Sequence, residues 1–360
     1  MSLFTAPVLT LQSVEPHPNA DRLELAVVGG YRAVVGKGQF AVGDRVAYLP
    51  TDSVVPPDVA QELGIGAYLA GKDKNRVKAI RLRGVLSEGI VLGVEKVRPV
   101  LVARGAAASL LDEDGADLAP ALGVTKYEEP IPVAMQGSVR RWPYFLPKYD
   151  IENVKRPEFR GVLQEGEEVV LTEKRHGTNI AIAIGPGLDE GERAFVCSRG
   201  LALRESASNL YWLTVRRHRL IERLEAVKKQ YEEEGVEVRS ISLHGESLGC
   251  QDLAYGSTMK EPGFEAFDLR VNERWVDYPE FRERCAVAGI PTVPVLYQGP
   301  YSYEILDGYA EGQATGHSHI REGVVVRPVI ERRDDVLGRV QLKYVSGSYL
   351  TRGGKATELR

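Results

Sequence analysis

Apolar positions in the first ninety residues come in short runs, at 8–11, 23–28, 31–35 and 45–49. Turn-forming clusters separate them at 16–19, 29–30, 36–38 and 43–44, the punctuation of short β-strands. A fifth run, 77–83, alternates apolar and basic residues with period two, as a strand half exposed to water does. From about 160 onward the pattern changes. Strands are predicted at 167–173, 179–184, 193–198, 237–244, 264–271, 322–328 and 338–345. One long helix is predicted from about 209 to 234, where Leu210, Leu213, Leu220, Ile221, Leu224, Val227 and Tyr231 follow the 3.6 period. Ser208 is the expected N-cap and Gly235 the expected stop, and a shorter helix is expected from Pro279 to Gly289.

These patterns predict an α+β protein with two domains. Five short strands with glycine corners over residues 1–95 suit a small OB-type β-barrel. The stretch 14–23 also resembles the opening of tRNA-binding OB domains. Residues 96–137, rich in Ala, Gly and Pro with acids at Asp112, Glu113 and Asp114, read as a linker. Residues 138–360 form the second domain. It begins with a basic-aromatic stretch that includes Arg140, Arg141, Trp142, Tyr144, Phe145 and Tyr149. Such a stretch suits nucleic-acid stacking, or a strap laid on a core; the strap is the reading preferred.

Composition narrows the class of protein. With 43% hydrophobic and 27% charged residues the chain can bury a core, which excludes disorder. It has no apolar run long enough to span a bilayer and no secretion-signal pattern at its start, so a cytoplasmic protein with no membrane partner is expected. Three cysteines, Cys197, Cys250 and Cys285, form no CxxC pair and are read as small core residues. The 46 basic and 50 acidic residues leave a net charge of −4, which by itself argues against a nucleic-acid partner. The local distribution argues the other way. Lys72, Lys74, Arg76, Lys78, Arg81 and Arg83 lie close together with a single acid among them, a candidate phosphate-binding stripe. A solvated edge strand is the alternative.

Candidate chemistry centres on residues 171–179, where a strand runs through Glu173 and Lys174 into His176, Gly177, Thr178 and Asn179. A bare KxxG string carries little information, and Lys260 begins a decoy of the same spacing. The full string resembles the nucleotidyl-transfer motif of ATP-dependent RNA ligases. Further motifs of that family follow in order. Arg199 lies in Cys-Ser-Arg-Gly, Glu246 in His-Gly-Glu, Phe267 in Phe-Glu-Ala-Phe-Asp, Glu322 in Glu-Gly-Val-Val-Val-Arg and Lys343 in Leu-Lys-Tyr-Val-Ser. The barrel-first order resembles the Deinococcus type of RNA ligase. The short stretch after Lys343 is too small for the trailing OB domain of DNA ligases and capping enzymes.

The resemblance implies an antiparallel-sheet nucleotidyltransferase (adenylyltransferase) domain of the DNA/RNA ligase core. Its implied chemistry is sealing of 3′-hydroxyl and 5′-phosphate RNA ends through a lysyl-AMP intermediate. ATP and Mg²⁺ or Mn²⁺ are the implied cofactors, and nicked or end-paired RNA the partner of a monomeric protein. Lys174 is then the nucleophile, a role that requires the neutral amine. Lys343 holds the α-phosphate, and His176 orients pyrophosphate. Glu173, Asn179, Arg199 and Phe267 bind ATP, with Phe267 stacking on adenine. Glu246 and Glu322 serve ribose or metal, because hard divalent cations prefer carboxylate oxygen. The family's last motif often carries two lysines two apart; here Gln341 and Val345 flank Lys343, and Arg352 or Lys355 are the candidates for the missing role. Two other readings stay open, a GTP-dependent capping-type nucleotidyltransferase and a non-catalytic RNA-binding protein. His244, the arginines near 216–219 and the pair His317 and His319 are read as structural or solvated.

Overall fold

The computed structural model describes residues 4–71, 73–127 and 138–352. Its N-terminal domain is an OB-fold barrel, near-closed, whose antiparallel strands run in the order Tyr31–Gly36, Leu23–Val28, Val8–Pro16, Arg45–Leu49 and Ile90–Gly93. Inward-facing residues alternate along each strand, and Leu9, Leu11, Val28, Tyr31, Val46, Tyr48 and Val91 fill the barrel.

Four of these strands lie where the apolar runs predict them; the fifth does not. Residues 77–83 do not close the barrel. Within them Ile80–Leu82 pairs with Val85–Ser87 in a separate two-stranded hairpin. The intervening Arg83 and Gly84 both have positive φ, the conformation of a tight two-residue turn matched to strand twist. That turn reverses the chain before it reaches the barrel edge, and Ile90–Gly93 takes the position instead.

The loose connection expected over 96–137 is also corrected for the part described. The helix Val94–Ala103 turns Val97, Val100 and Leu101 onto a core shared with Leu49, Leu63, Leu111, Leu118, Leu122 and Val124. The strand Ser53–Val54 pairs with Thr125–Lys126 and ties the segment down. Alanine-rich composition diluted an apolar face that is nonetheless continuous in space.

The second domain packs two antiparallel sheets face to face. One has seven strands, with Phe195–Ser198, Thr178–Ile184, Ile241–Leu248 and Gly263–Val271 at its centre. The other contains Leu342–Val345, Gly323–Pro328, Glu168–Lys174 and Val295–Pro300, with Glu152–Asn153 added in parallel at the edge. The strand Val295–Pro300 and the helix Tyr303–Ala310 were not predicted. The long predicted helix is two, Leu210–His218 and Leu220–Glu233, broken by Arg219 in the left-handed region (φ 51°). Their buried residues explain the break. Trp212 and Val215 set one face, Leu220, Leu224, Val227 and Tyr231 another, while Leu213 stays half-buried. Asn209 is the N-cap in place of Ser208, its Oδ1 accepting from Tyr211 N at 2.9 Å.

The domains are joined by specific polar contacts. Lys155 Nζ lies 2.8 Å from Glu88 Oε1 in a buried ion pair. Gly30 N donates to Lys155 O at 3.0 Å, and Arg81 Nε donates to Thr351 Oγ1 at 2.8 Å.

Candidate active site

Lys174 is the last residue of its strand, and after a short turn the chain enters the other sheet at Thr178. The nucleophile candidate therefore sits at the seam between sheets. Gly177 makes the crossing possible, since a Cβ there would lie 2.2 Å from Ser247 O. The seam opens as a cleft lined by residues of both sheets.

Eight predicted residues converge on this cleft although they are scattered along the chain from position 173 to position 343: Glu173, Lys174, Asn179, Arg199, Glu246, Phe267, Lys343 and, through its ion pair, Glu322. Lys174 Nζ stands 2.6 Å from Glu322 Oε1. Burial would raise the Glu322 pKa, but Lys174 and His176 outweigh it and hold the carboxyl below its ordinary range. Glu246 Oε1 accepts from Gly177 N at 3.0 Å, and Asn179 lies opposite Glu246 in the sheet register. Lys343 faces Val325, which in turn faces Thr172, so these three form one row of the cleft floor. Phe267 offers a half-buried ring, 5.0 Å from that of Tyr149. Glu173 has its carboxylate occupied, with Oε1 accepting from Arg175 and Oε2 from Thr315 N.

Glu322 Oε2 is buried without a hydrogen-bond partner among the described residues. A carboxylate oxygen so placed beside the nucleophile suits a hard divalent cation such as Mg²⁺ or Mn²⁺. Among the described residues no cluster of three or more His, Cys, Asp and Glu side chains stands ready for a metal. Such an ion would thus draw on Glu322 and Glu246 together with phosphate and water oxygens, as Mg²⁺ commonly does.

Three expectations are corrected. His176 does not border the cleft among the described residues. It is 2% exposed, and its ring is held by Tyr349 OH at 3.0 Å, Asp252 Oδ1 at 2.8 Å and Arg352 Nη2 at 3.2 Å. Its Nδ1 also lies 3.6 Å from Glu322 Oε2, so the ring sits behind the carboxylate that pairs with Lys174 and links it to the C-terminal helix. Arg352 is committed to Asp252 in the same cluster and does not stand beside Lys343; Lys355 lies outside the described residues. Arg76 leaves the basic stripe, because its guanidinium is buried against Asp52 and stacked 4.1 Å from the Tyr127 ring. Lys74, Arg81 and Arg83 are exposed, Lys78 is half-buried, and Lys72 lies outside the described residues.

Several cleft residues escaped the sequence reading. Asp150 accepts from Arg199 Nη2 at 2.7 Å. Burial would raise its pKa, yet Arg199, Lys126 and Lys343 bring it below the ordinary value. Tyr149, Arg327 and Gln341 close the far end. Tyr149 and Asp150 belong to the basic-aromatic stretch, which is indeed a strap: Phe145 is buried and Trp142 Nε1 donates to Leu146 O. No local pattern points Asp150 toward Lys343, which belongs to the last motif of the chain. His244 is structural, as read, with its pKa pushed down by burial to about 3. His317 and His319 stack on each other beside Tyr255.

The lysine-bearing seam between two antiparallel sheets, preceded by an OB barrel, defines the class. Residues 167–345 match the RNA ligase family model and residues 5–94 an OB-fold domain model, so an OB-fold match precedes an RNA ligase match along the chain. Among solved structures it is similar to Naegleria gruberi RNA ligase. A mutant of that enzyme with ATP and Mn is 25% identical, with a TM-score of 0.75 over 96% of this chain and 98% of that one. A mutant with AMP and Mn is also 25% identical, with a TM-score of 0.73 over 96% and 98%. The form with pyrophosphate is 24% identical, with a TM-score of 0.74 over 96% and 97%. No curated protein matches the sequence.

Proposed function

We propose that the protein is an ATP-dependent RNA ligase that seals 3′-hydroxyl and 5′-phosphate ends through a lysyl-AMP intermediate. The observation that carries this reading is the Lys174–Glu322 pair at 2.6 Å, set at the mouth of a cleft that also holds Lys343 and Phe267. Similar ligases solved with ATP and Mn, and with AMP and Mn, support the same cofactors here. Lys174 must first leave its ion pair and lose a proton, since only the neutral amine is nucleophilic. Nζ then attacks the α-phosphorus of ATP; the N–P bond forms as the P–O bond to pyrophosphate breaks. A 5′-phosphate oxygen next attacks that phosphorus, the N–P bond breaks, and the amine returns with AMP capping the RNA end. Attack by a 3′-hydroxyl on the capped phosphate expels AMP and forms the phosphodiester.

Catalysis of these steps is mainly positioning and charge neutralisation. Lys343 would hold the α-phosphate, Phe267 the adenine face, and Arg199 with Asn179 ribose or phosphate. A divalent cation at Glu246 and Glu322 would supply charge neutralisation on the phosphates. The exposed Arg81, Arg83 and Lys74 would contact RNA phosphates, and the barrel-first order fits the Deinococcus type. The test is incubation with ATP labelled at the α-phosphate and Mg²⁺ or Mn²⁺, followed by a denaturing gel. Covalent label with the wild type and none with Lys174→Ala is expected. Labelling by GTP instead, or equal labelling of Lys174→Ala, would overturn the reading.

A further inference from the structure

The cleft has a direction that the strand register defines. Gly323 faces Lys174 on one side and Val345 on the other, while Val325 faces Thr172 and Lys343, two residues further along. Two residues beyond again stand Arg327 and Gln341, both bordering the cleft. With a strand's rise per residue, Gln341 lies about 7 Å past Lys343, at the end away from Lys174. Phosphate chemistry at Lys174 and Lys343 therefore leaves the Gln341 end for the base.

Hydrogen bonding at that end is over-determined in an informative way. Tyr149 OH stands 2.7 Å from Asp268 Oδ2 and 2.7 Å from Gln341 Oε1. A phenol carries one proton, so it cannot donate to both. Asp268 is fully buried and accepts from Arg327 Nη1 at 3.0 Å and from Arg339 Nη1 at 2.5 Å, so it is an ionised acceptor and takes the phenol's proton. Two oxygens at hydrogen-bonding separation with no proton between them repel. The oxygen and nitrogen of an amide exchange places by a half-turn, and the network decides between them. The consistent arrangement has Gln341 Nε2 donating to the Tyr149 oxygen, with Oε1 turned off Tyr149 onto the cleft side. The second amide atom of Gln341 has no partner among the described residues, although the residue is only 7% exposed.

We propose that Gln341 reads the nucleobase: its amide oxygen accepts from the 6-amino group of adenine, and Tyr149, anchored on Asp268, sets the amide's orientation. Guanine carries an oxygen at the same position and would place acceptor against acceptor. Gln341 is thus a specificity-determining residue and Tyr149 a positioning one. The inference rests on the cleft being the ATP site.

The test measures nucleotide binding and covalent labelling separately on the full chain with Mg²⁺. The probes are ATP, GTP and purine riboside triphosphate, which lacks any 6-substituent. The wild type is expected to bind ATP about tenfold more tightly than the purine analogue, the worth of one buried hydrogen bond. In Gln341→Met that ratio collapses to about one through loss of ATP affinity, with the analogue unmoved. Tyr149→Phe frees the amide to turn and raises GTP binding relative to ATP, which gives a second readout should the first variant fail to fold. Parallel loss of ATP and analogue in Gln341→Met, or an unchanged ratio, overturns the role of Gln341 while label on Lys174 keeps the ligase reading intact. No binding and no label with any nucleotide on the wild type overturns both.

Discussion

Replacing Asp268 by Asn tests the energetics at the base of the cleft. The wild-type residue is 0% exposed, and its carboxylate is contacted by Tyr149 OH at 2.7 Å, Arg327 Nη1 at 3.0 Å and Arg339 Nη1 and Nη2 at 2.5 and 3.0 Å. The amide keeps the shape and removes the charge, leaving the buried Arg327 and the half-buried Arg339 with Glu331 as their remaining carboxylate. Breaking a buried pair by neutralising one partner costs about 3–5 kcal/mol. For a domain of roughly 200 residues that is a fall of roughly 10 °C in Tm. The pH dependence gives an independent measure. Burial would raise the Asp268 pKa, but Arg339 and Arg327 bring it down from 3.8 to about 2. A depressed carboxylate stabilises fully above its unfolded value, so this contribution is present above pH 3.8 and is lost as pH falls through about 2. It amounts to about 2–3 kcal/mol at about 1.4 kcal/mol per pH unit. Urea denaturation of wild type and Asp268→Asn at pH 7 and at acid pH would show both effects. A variant within about 1 kcal/mol of wild type at pH 7 would refute the claim that a buried Asp268 carboxylate holds both arginines.

Three further outcomes are expected. Lys155→Met should destabilise the chain by about 3–5 kcal/mol, since it takes the cation away from buried Glu88; the double variant with Glu88→Leu should recover most of it in a denaturant double-mutant cycle. Gly177→Ala should lower the rate of self-adenylylation at least tenfold by pushing the Lys174 turn off Ser247 O, a shift of about 1.4 kcal/mol or more read from single-turnover labelling; an unchanged rate would show that the turn yields freely. Arg76→Ala should lower Tm without altering the salt dependence of RNA binding, whereas Arg83→Ala should reduce the salt slope by about one and leave Tm unchanged; the opposite pattern would return Arg76 to the RNA surface.

Much of the site was legible because strand chemistry is local. Lys174, Glu246, Phe267, Glu322 and Lys343 each lie in a short motif whose type and order identify it, and all but Phe267 carry charge that a strand does not need for its own sake. Four barrel strands were legible for the same reason, each bounded by its own turn residues. His176 shows where that reasoning stops. The residue lies in the motif, but its direction is set by Tyr349 and Asp252, both far along the chain. Arg76 looks identical to Arg83 in sequence, and only the approach of Asp52 and Tyr127 buries it. Asp150 reaches the cleft because Glu152–Asn153 pairs with Leu342–Val345, a register no local pattern encodes.

The amino-acid sequence by itself determined the two-domain α+β organisation, the barrel-first order and the identity of the lysine and carboxylates at the seam. The domain organisation follows from the period of apolar residues and from turn chemistry, which act over a few neighbours, whereas the lysine and carboxylates stand out through the ordered motifs that resemble those of RNA ligases. Tertiary structure alone decided which basic residues face water, that residues 94–126 build onto the barrel, that His176 braces the C-terminal helix, and that Tyr149, Asp268 and Gln341 meet at the far end of the cleft. Each of these depends on distant segments competing for one buried partner, and burial makes a single pairing the stable one.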